Sequence, residues 1–146
     1  MPFLISGISL LDCGCASGSI TVGLVKAIYP GQATGVDISH IEIERAAQRA
    51  AEENITNIRF EVGNVYELDF SDNSFDAIFS HNVLEHISEP KKVLREMHRV
   101  LKPRGVIGSE GSSMKRVLPK SRCPHPMRFI LIVKIADPLC RMLPPG

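Results

Sequence analysis

An α/β fold is the class this sequence predicts: a parallel sheet of strand order 3-2-1-4-5 with helices on both faces. Three observations carry that expectation. Short apolar runs suited to strands alternate with segments of helical periodicity. A glycine turn joins the first such run directly to the first helical segment. An aspartate, Asp37, closes the second run nineteen residues after Gly18. Strands that alternate with helices at this spacing need right-handed crossovers, which puts helices on both faces of a parallel sheet.

Ser9 to Cys13 reads as the first strand, ended by Gly14-Cys15-Ala16-Ser17-Gly18. Ile20, Leu24 and Ile28 then recur every four residues, as on a helix that Pro30-Gly31 terminates. Ala33 to Asp37 is the second strand. Ser39, with Glu42 three residues on, has the spacing of a capping box and opens a helix from His40 to about Glu53. Its expected inner face is Ile41, Ile43, Ala47, Ala50 and Ala51, with Arg49 outward and Asn54 capping the end. Ile58 to Val62 supplies a third strand and Phe75 to Ser80 a fourth, across an acidic loop. Ser88-Glu89-Pro90 opens a helix whose stripe is Val93, Leu94, Met97, Val100 and Leu101. Lys102 to Gly105 is a turn before a fifth strand, Val106 to Ser109.

Composition sets further bounds. A chain of 146 residues with 44% hydrophobic and 23% charged residues is one folded domain in size and belongs to neither the disordered nor the membrane class. Residues 1–110 hold 15 acidic and 10 basic groups, whereas residues 111–146 hold 7 basic groups and one acid, Asp137. Six of the ten prolines also lie in that last stretch. The sequence therefore divides into a domain at 1–110 and a basic, proline-rich tail at 111–146. The tail lacks aromatic interleaving, so no nucleic-acid partner is expected. Met127 to Ala136 within it fits either a last helix or a last strand. No secretion signal and no membrane span are evident, and a cytoplasmic location is expected. Four cysteines form no metal pattern, because Cys13-x-Cys15 is too tight for a zinc knuckle; no metal is expected.

In a sheet of order 3-2-1-4-5 ligands bind at the carboxyl ends of the strands, where the order reverses between strands 1 and 4. The segment Asp12 to Gly18 lies there. Its glycines let backbone approach a ligand closely, and the following helix start offers free N–H groups. Asp37 can accept hydrogen bonds from both hydroxyls of a ribose. The turn fits a dinucleotide fingerprint poorly, since Ala16 and Ser19 occupy two of its glycine positions, and no phosphate-binding lysine follows it. The ribose position alone leaves an adenosyl cofactor and NAD both open.

Four segments, in order across about residues 9 to 110, carry a resemblance: Leu10 to Cys15, Gly35 to Ser39, Phe75 to His86 and Glu96 to Gly105. Together they resemble class I S-adenosylmethionine-dependent methyltransferases of the small-molecule type, including those acting on quinone precursors. The resemblance implies a Rossmann-like sheet, S-adenosylmethionine as cofactor and a small-molecule methyl acceptor. It implies that Asp12, Gly14, Cys15, Ala16 and Gly18 cradle the methionine part, that Asp37 holds the ribose and Ile38 packs on the adenine. It further implies that Asn64 and Val65 meet the adenine edge and that Ser80 and His81 lie beneath the reactive methyl.

Two positions depart from the family pattern. Ala16 stands where the family has its middle glycine, and Arg104 replaces the second glycine of a Lys-Pro-Gly-Gly turn. Ala16 is expected to weaken cofactor binding; Arg104, in an exposed turn, is expected to be tolerated. Glu85 and His86 could serve as acid or base near an acceptor or simply orient the segment after strand 4, so no catalytic residue is assigned. Family members also carry helices before strand 1 and a helix with two strands after strand 5. Against that pattern the chain is expected to be an incomplete class I methyltransferase fold, with strand 5 an uncovered sheet edge. The alternative to an enzyme is a non-catalytic remnant that keeps the fold and at most binds cofactor.

Overall fold

A computed structural model describes residues 6–111 and 129–134, with side chains for residues 6–109. In chain order the elements are β1 (Ser9–Cys13), α1 (Ser19–Ala27), β2 (Gln32–Asp37), α2 (His40–Glu52), β3 (Ile58–Val62), β4 (Phe75–His81), α3 (Pro90–Val100), β5 (Leu101–Gly111) and β6 (Phe129–Lys134). They build one sheet of order β3-β2-β1-β4-β5-β6. The first five strands are mutually parallel in the expected order.

β6 runs antiparallel to β5, with Gly111 opposite Phe129 and Val106 opposite Lys134. The expectation that strand 5 is a bare edge is therefore not met. Phe129–Lys134 is a strand within the sheet, and it pairs the N–H and C=O groups that β5 would otherwise leave open. The apolar run Phe-Ile-Leu-Ile-Val fits either state by periodicity, and the available edge decides it. The rest of the basic tail lies outside the described residues.

Strand alternation sorts the core into two layers. Leu11, Cys13, Val36, Ile78 and Ile107 point to the face covered by α3, which contributes Val93, Leu94, Met97 and Val100. Leu10, Ala33, Ala77 and Phe79 point to the opposite face and meet Leu24, Val25 and Ile28 at the α1 end. α2 lies over β2 and β3. Its buried residues are Ile43, Ala46 and Ala50, spaced three and four apart. This corrects the expected inner face: Ile41 is 61% exposed, and Ala47 and Ala51 are exposed as well. The helix is turned so that small alanines meet the sheet closely, which the apolar residue types alone do not indicate.

Helix ends follow their sequence signals. Ser39 Oγ accepts the Glu42 amide at 3.3 Å, and Asn54 takes a left-handed φ of 55° just after α2, the conformation that closes a helix. Pro90 occupies the first turn of α3. Lys102–Gly105 bulges out between the pairs Phe75–Leu101 and Ala77–Val106, after which β5 resumes. Arg104 is exposed on that bulge.

The segment between β3 and β4 has no helix of its own and is held by α3. Glu96 Oε2 accepts the Leu68 amide at 2.8 Å. Arg99 donates to the Leu68 carbonyl at 2.8 Å, the Phe70 carbonyl at 2.8 Å and Asp72 at 2.9 Å. It also pairs with Glu96 at 2.9 Å, which holds the Glu96 carboxyl below its ordinary range.

Candidate cofactor cleft

Register brings the candidate residues to one edge. Cys13 pairs with Val36 on one side and Ser80 on the other, and Asp37 pairs with Val62. The turn after β1, the end of β2, the residues after β3 and the end of β4 therefore line up along the carboxyl edge of the sheet.

The turn is anchored almost wholly by β2 and α2. The Val36 carbonyl accepts the amides of Gly14 at 2.7 Å and Cys15 at 3.0 Å. Asp37 Oδ2 accepts the Ala16 amide at 2.9 Å, and Asp37 Oδ1 accepts the Ser39 amide at 2.9 Å. Gly14 and Gly18 have φ of 73° and 76°, so glycine answers a conformational need at both positions. Ala16 also has a positive φ, 48°. The other described non-glycine residues with positive φ are all asparagines: Asn54, Asn73 and Asn82. Asparagine tolerates that region; alanine does so at a cost.

α1 starts on Gly18 as its N-cap, with no side chain capping it and no acidic residue in its first turn. Its leading amides and the positive end of its dipole stand at the carboxyl edge of the sheet. Asp12 lies against this first turn. Its side chain is 1% exposed, and its Oδ2 accepts the Thr21 hydroxyl at 2.7 Å. Burial pushes its carboxyl up to about 6; the Thr21 bond lowers it and the neighbouring Asp37 charge raises it further. Of the residues assigned to the methionine cradle, Asp12 is thus the one whose carboxylate is buried against α1. Burial also raises both the Cys13 and Cys15 thiols far above their ordinary range, leaving them packing groups and not nucleophiles.

Beyond Asp37, Ile38 is 72% exposed, a large apolar side chain beside a carboxylate. Asn64 is exposed and Val65 half-buried after β3. Asn64 Oδ1 accepts the Tyr66 amide at 2.9 Å. At the end of β4, Ser80 Oγ lies 3.0 Å from Ser109 Oγ in the interior, and His81 Nε2 lies 3.0 Å from Asn82 Nδ2. Glu85 and His86 diverge: their side chains are 4% and 74% exposed, with His86 Nε2 3.9 Å from Glu85 Oε1. Thr21, Arg49 and Tyr66 make hydrogen bonds that hold the segments at this edge, and they carried no recognisable signal in the sequence. Arg49 Nε donates to the Ser17 carbonyl at 3.1 Å, whereas the helical pattern placed it outward. Tyr66 Oη accepts the Glu89 amide at 3.2 Å and lies 3.3 Å from Ser88 Oγ, joining the residues after β3 to the start of α3.

A methyltransferase-domain family model matches residues 4–127. An uncharacterised methyltransferase of Schizosaccharomyces pombe is 33% identical over 126 residues, covering 82% of this chain and 44% of the relative. The demethylmenaquinone methyltransferase of Staphylococcus aureus is 36% identical over 102 residues, covering 69% of this chain and 42% of that protein. The crystal structure of the PH0226 protein from Pyrococcus horikoshii superposes with a TM-score of 0.69 at 29% identity, covering 80% of this chain and 55% of that one. The chain spans less than half the length of these curated relatives. With its strand order, its glycine turn and the family match over most of its length, the chain belongs to the methyltransferase-domain family.

Proposed function

We propose that the carboxyl edge of this sheet binds S-adenosylmethionine and that the chain supplies the cofactor half of a methyltransferase acting on a small-molecule acceptor. The observation that carries this reading is the donor set around the β1–α1 turn. An uncapped helix start suits a carboxylate, the strand-end carboxylate of Asp37 suits a vicinal diol, and the exposed Ile38 beside it suits a flat apolar ring. An adenosyl amino acid presents all three chemistries in one molecule.

When bound, the sulfonium supplies an activated methyl group for in-line displacement. Such a reaction asks chiefly for alignment and exclusion of water. The chain's own contribution is accordingly to orient. Gly14, Cys15, Ala16 and Gly18 shape the methionine cradle over buried Asp12; Asp37 and Ile38 fix the nucleoside; Asn64 and Val65 border the adenine; Ser80 and His81 floor the reacting end. No base is assigned, since an acidic acceptor needs none. A phenolic or quinone-like acceptor is the class we favour, by analogy with the demethylmenaquinone relative. No helix among the described residues is long and apolar enough to cross a membrane. A cytoplasmic setting is part of the proposal, suited to the free buried thiols of Cys13 and Cys15.

Isothermal titration with S-adenosylmethionine, S-adenosylhomocysteine and NAD tests the assignment. Saturable heat from the adenosyl ligands is expected; heat from NAD alone overturns it. A methyl-transfer assay on phenolic and quinone-like acceptors then separates an enzyme from a cofactor-binding remnant.

A further inference from the structure

We propose that Arg49, on α2, is a positioning residue for the cofactor turn. The proposal rests on the cofactor reading above and adds to it a residue that the methyltransferase resemblance did not assign.

The geometry is specific. Arg49 Nε donates to the Ser17 carbonyl at 3.1 Å, across 32 residues of sequence. The Ser17 carbonyl belongs to the peptide whose other end is the Gly18 amide, and that amide donates to the Cys15 carbonyl at 3.0 Å. One peptide plane is thus held at both ends: its oxygen by Arg49 and its N–H by the turn itself. The plane immediately precedes α1, so its tilt sets the direction in which the uncapped amides of the α1 start point. A rotation of that plane would turn them off the cleft.

The turn needs such a tether. Gly14, Ala16 and Gly18 have left-handed φ values of 73°, 48° and 76°. Glycines at 14 and 18 make alternative conformations accessible, and Ala16 adds a bias against the observed one. Asp37 secures the first half through the Ala16 amide at 2.9 Å. Arg49 is the side-chain anchor on the second half. Arg45, one turn earlier on α2, engages Glu42 at 2.8 Å and so serves as a matched control on the same helix.

Arg49 therefore acts before any ligand arrives, and its effect falls on affinity. Losing one half-buried bond that acts on the ligand only through the turn is expected to weaken binding about five- to tenfold, less than the loss of a direct charged contact. The experiment uses the full chain and four forms: wild type, Arg49→Met, Arg49→Lys and Arg45→Met. S-adenosylhomocysteine affinity is measured by titration, and amide hydrogen exchange across residues 14–19 is measured without ligand. Arg49→Met should bind about five- to tenfold more weakly and exchange faster at the turn, while exchange in the β1, β2 and β4 core is unchanged. Arg49→Lys should restore part of both, and Arg45→Met should match wild type. Wild-type affinity and wild-type turn exchange in Arg49→Met overturn this proposal alone. A wild type that binds neither S-adenosylmethionine nor S-adenosylhomocysteine overturns the cofactor reading and this role with it. Faster exchange throughout the core of Arg49→Met makes the residue a general structural support and overturns the positioning role.

Discussion

Ala16→Gly is expected to make this protein both more stable and a tighter binder of cofactor. Holding an alanine in the left-handed region costs roughly 1–2 kcal/mol. Glycine removes that cost but brings extra freedom to the unfolded chain, worth about 0.4–1 kcal/mol in the other direction. Ala16 is exposed, so deleting its methyl forfeits little burial. The Ala16–Asp37 bond is made by backbone and survives the change. The net gain is then about 0.5–1 kcal/mol, which for a domain of this size raises Tm by about 2–5 °C. Differential scanning calorimetry reads the shift. Ala16→Asn, with a side chain that tolerates positive φ as Asn54, Asn73 and Asn82 do, should recover part of it, and Ala16→Val should lower Tm. Titration with S-adenosylhomocysteine should show Ala16→Gly binding more tightly, because the methyl no longer limits the approach of ligand to the turn. A Tm for Ala16→Gly at or below wild type, with Ala16→Val no worse, would refute the backbone argument. A raised Tm with unchanged affinity would retain the strain and remove the ligand contact.

Asp37→Ala should weaken adenosyl-ligand binding by about 1.5–3 kcal/mol, the worth of a charged hydrogen bond, whereas Glu85→Gln should leave titration constants unchanged and affect turnover at most; equal losses would show the ribose site is misplaced. Asp12 sets a pH signature: its carboxyl is raised to about 6 from 3.8, so the folded state holds the proton more tightly. Its share of stability is then full below pH ~4 and is lost on rising through pH ~6, a change of about 3 kcal/mol in the unfolding free energy read by urea titration, which Asp12→Asn should abolish. Arg99→Ala should cost about 2 kcal/mol in chemical denaturation, by freeing two backbone carbonyls and two carboxylates at once; a loss under about 0.5 kcal/mol would class the network as solvated surface. Gly35→Ala should cost about 1–3 kcal/mol, since its methyl would come within 2.5 Å of Phe60 Cδ1 and 3.0 Å of Cys15 Sγ; a wild-type melting curve would mean the layer beneath α2 is looser than it looks.

What the sequence revealed, and what it hid, follows from the range of the interactions. β1 and β3 are legible to the residue because a buried strand bounded by turn residues is a local signal. The same holds for the Ser39 cap and the Pro90 helix start. The rotation of α2 was not legible, because its alanines read alike and only the partner surface separates Ala46 from Ala47. β6 was hidden for a related reason: an apolar run of this length becomes a strand only when an edge is offered, and that edge is supplied by β5. At the site, Asp37 and the glycine turn announce themselves by residue type and spacing. The burial of Asp12 under Thr21, and the reach of Arg49 to Ser17, depend on contacts that no local pattern encodes.

The clasp between α3 and the segment before β4 has a consequence for how this protein can drift. Glu96 takes an amide and Arg99 takes two carbonyls, at Leu68 and Phe70. Those are groups that nearly every amino acid carries. A clasp of this kind writes its demand on the clasping helix and almost none on the strip it holds. Substitutions at the exposed positions Glu67, Asp69 and Ser71 should therefore pass with little effect, while Glu96 and Arg99 admit few replacements. The strip is free to acquire new side chains without loss of its course, and the two residues that guarantee this lie beyond β4 in sequence.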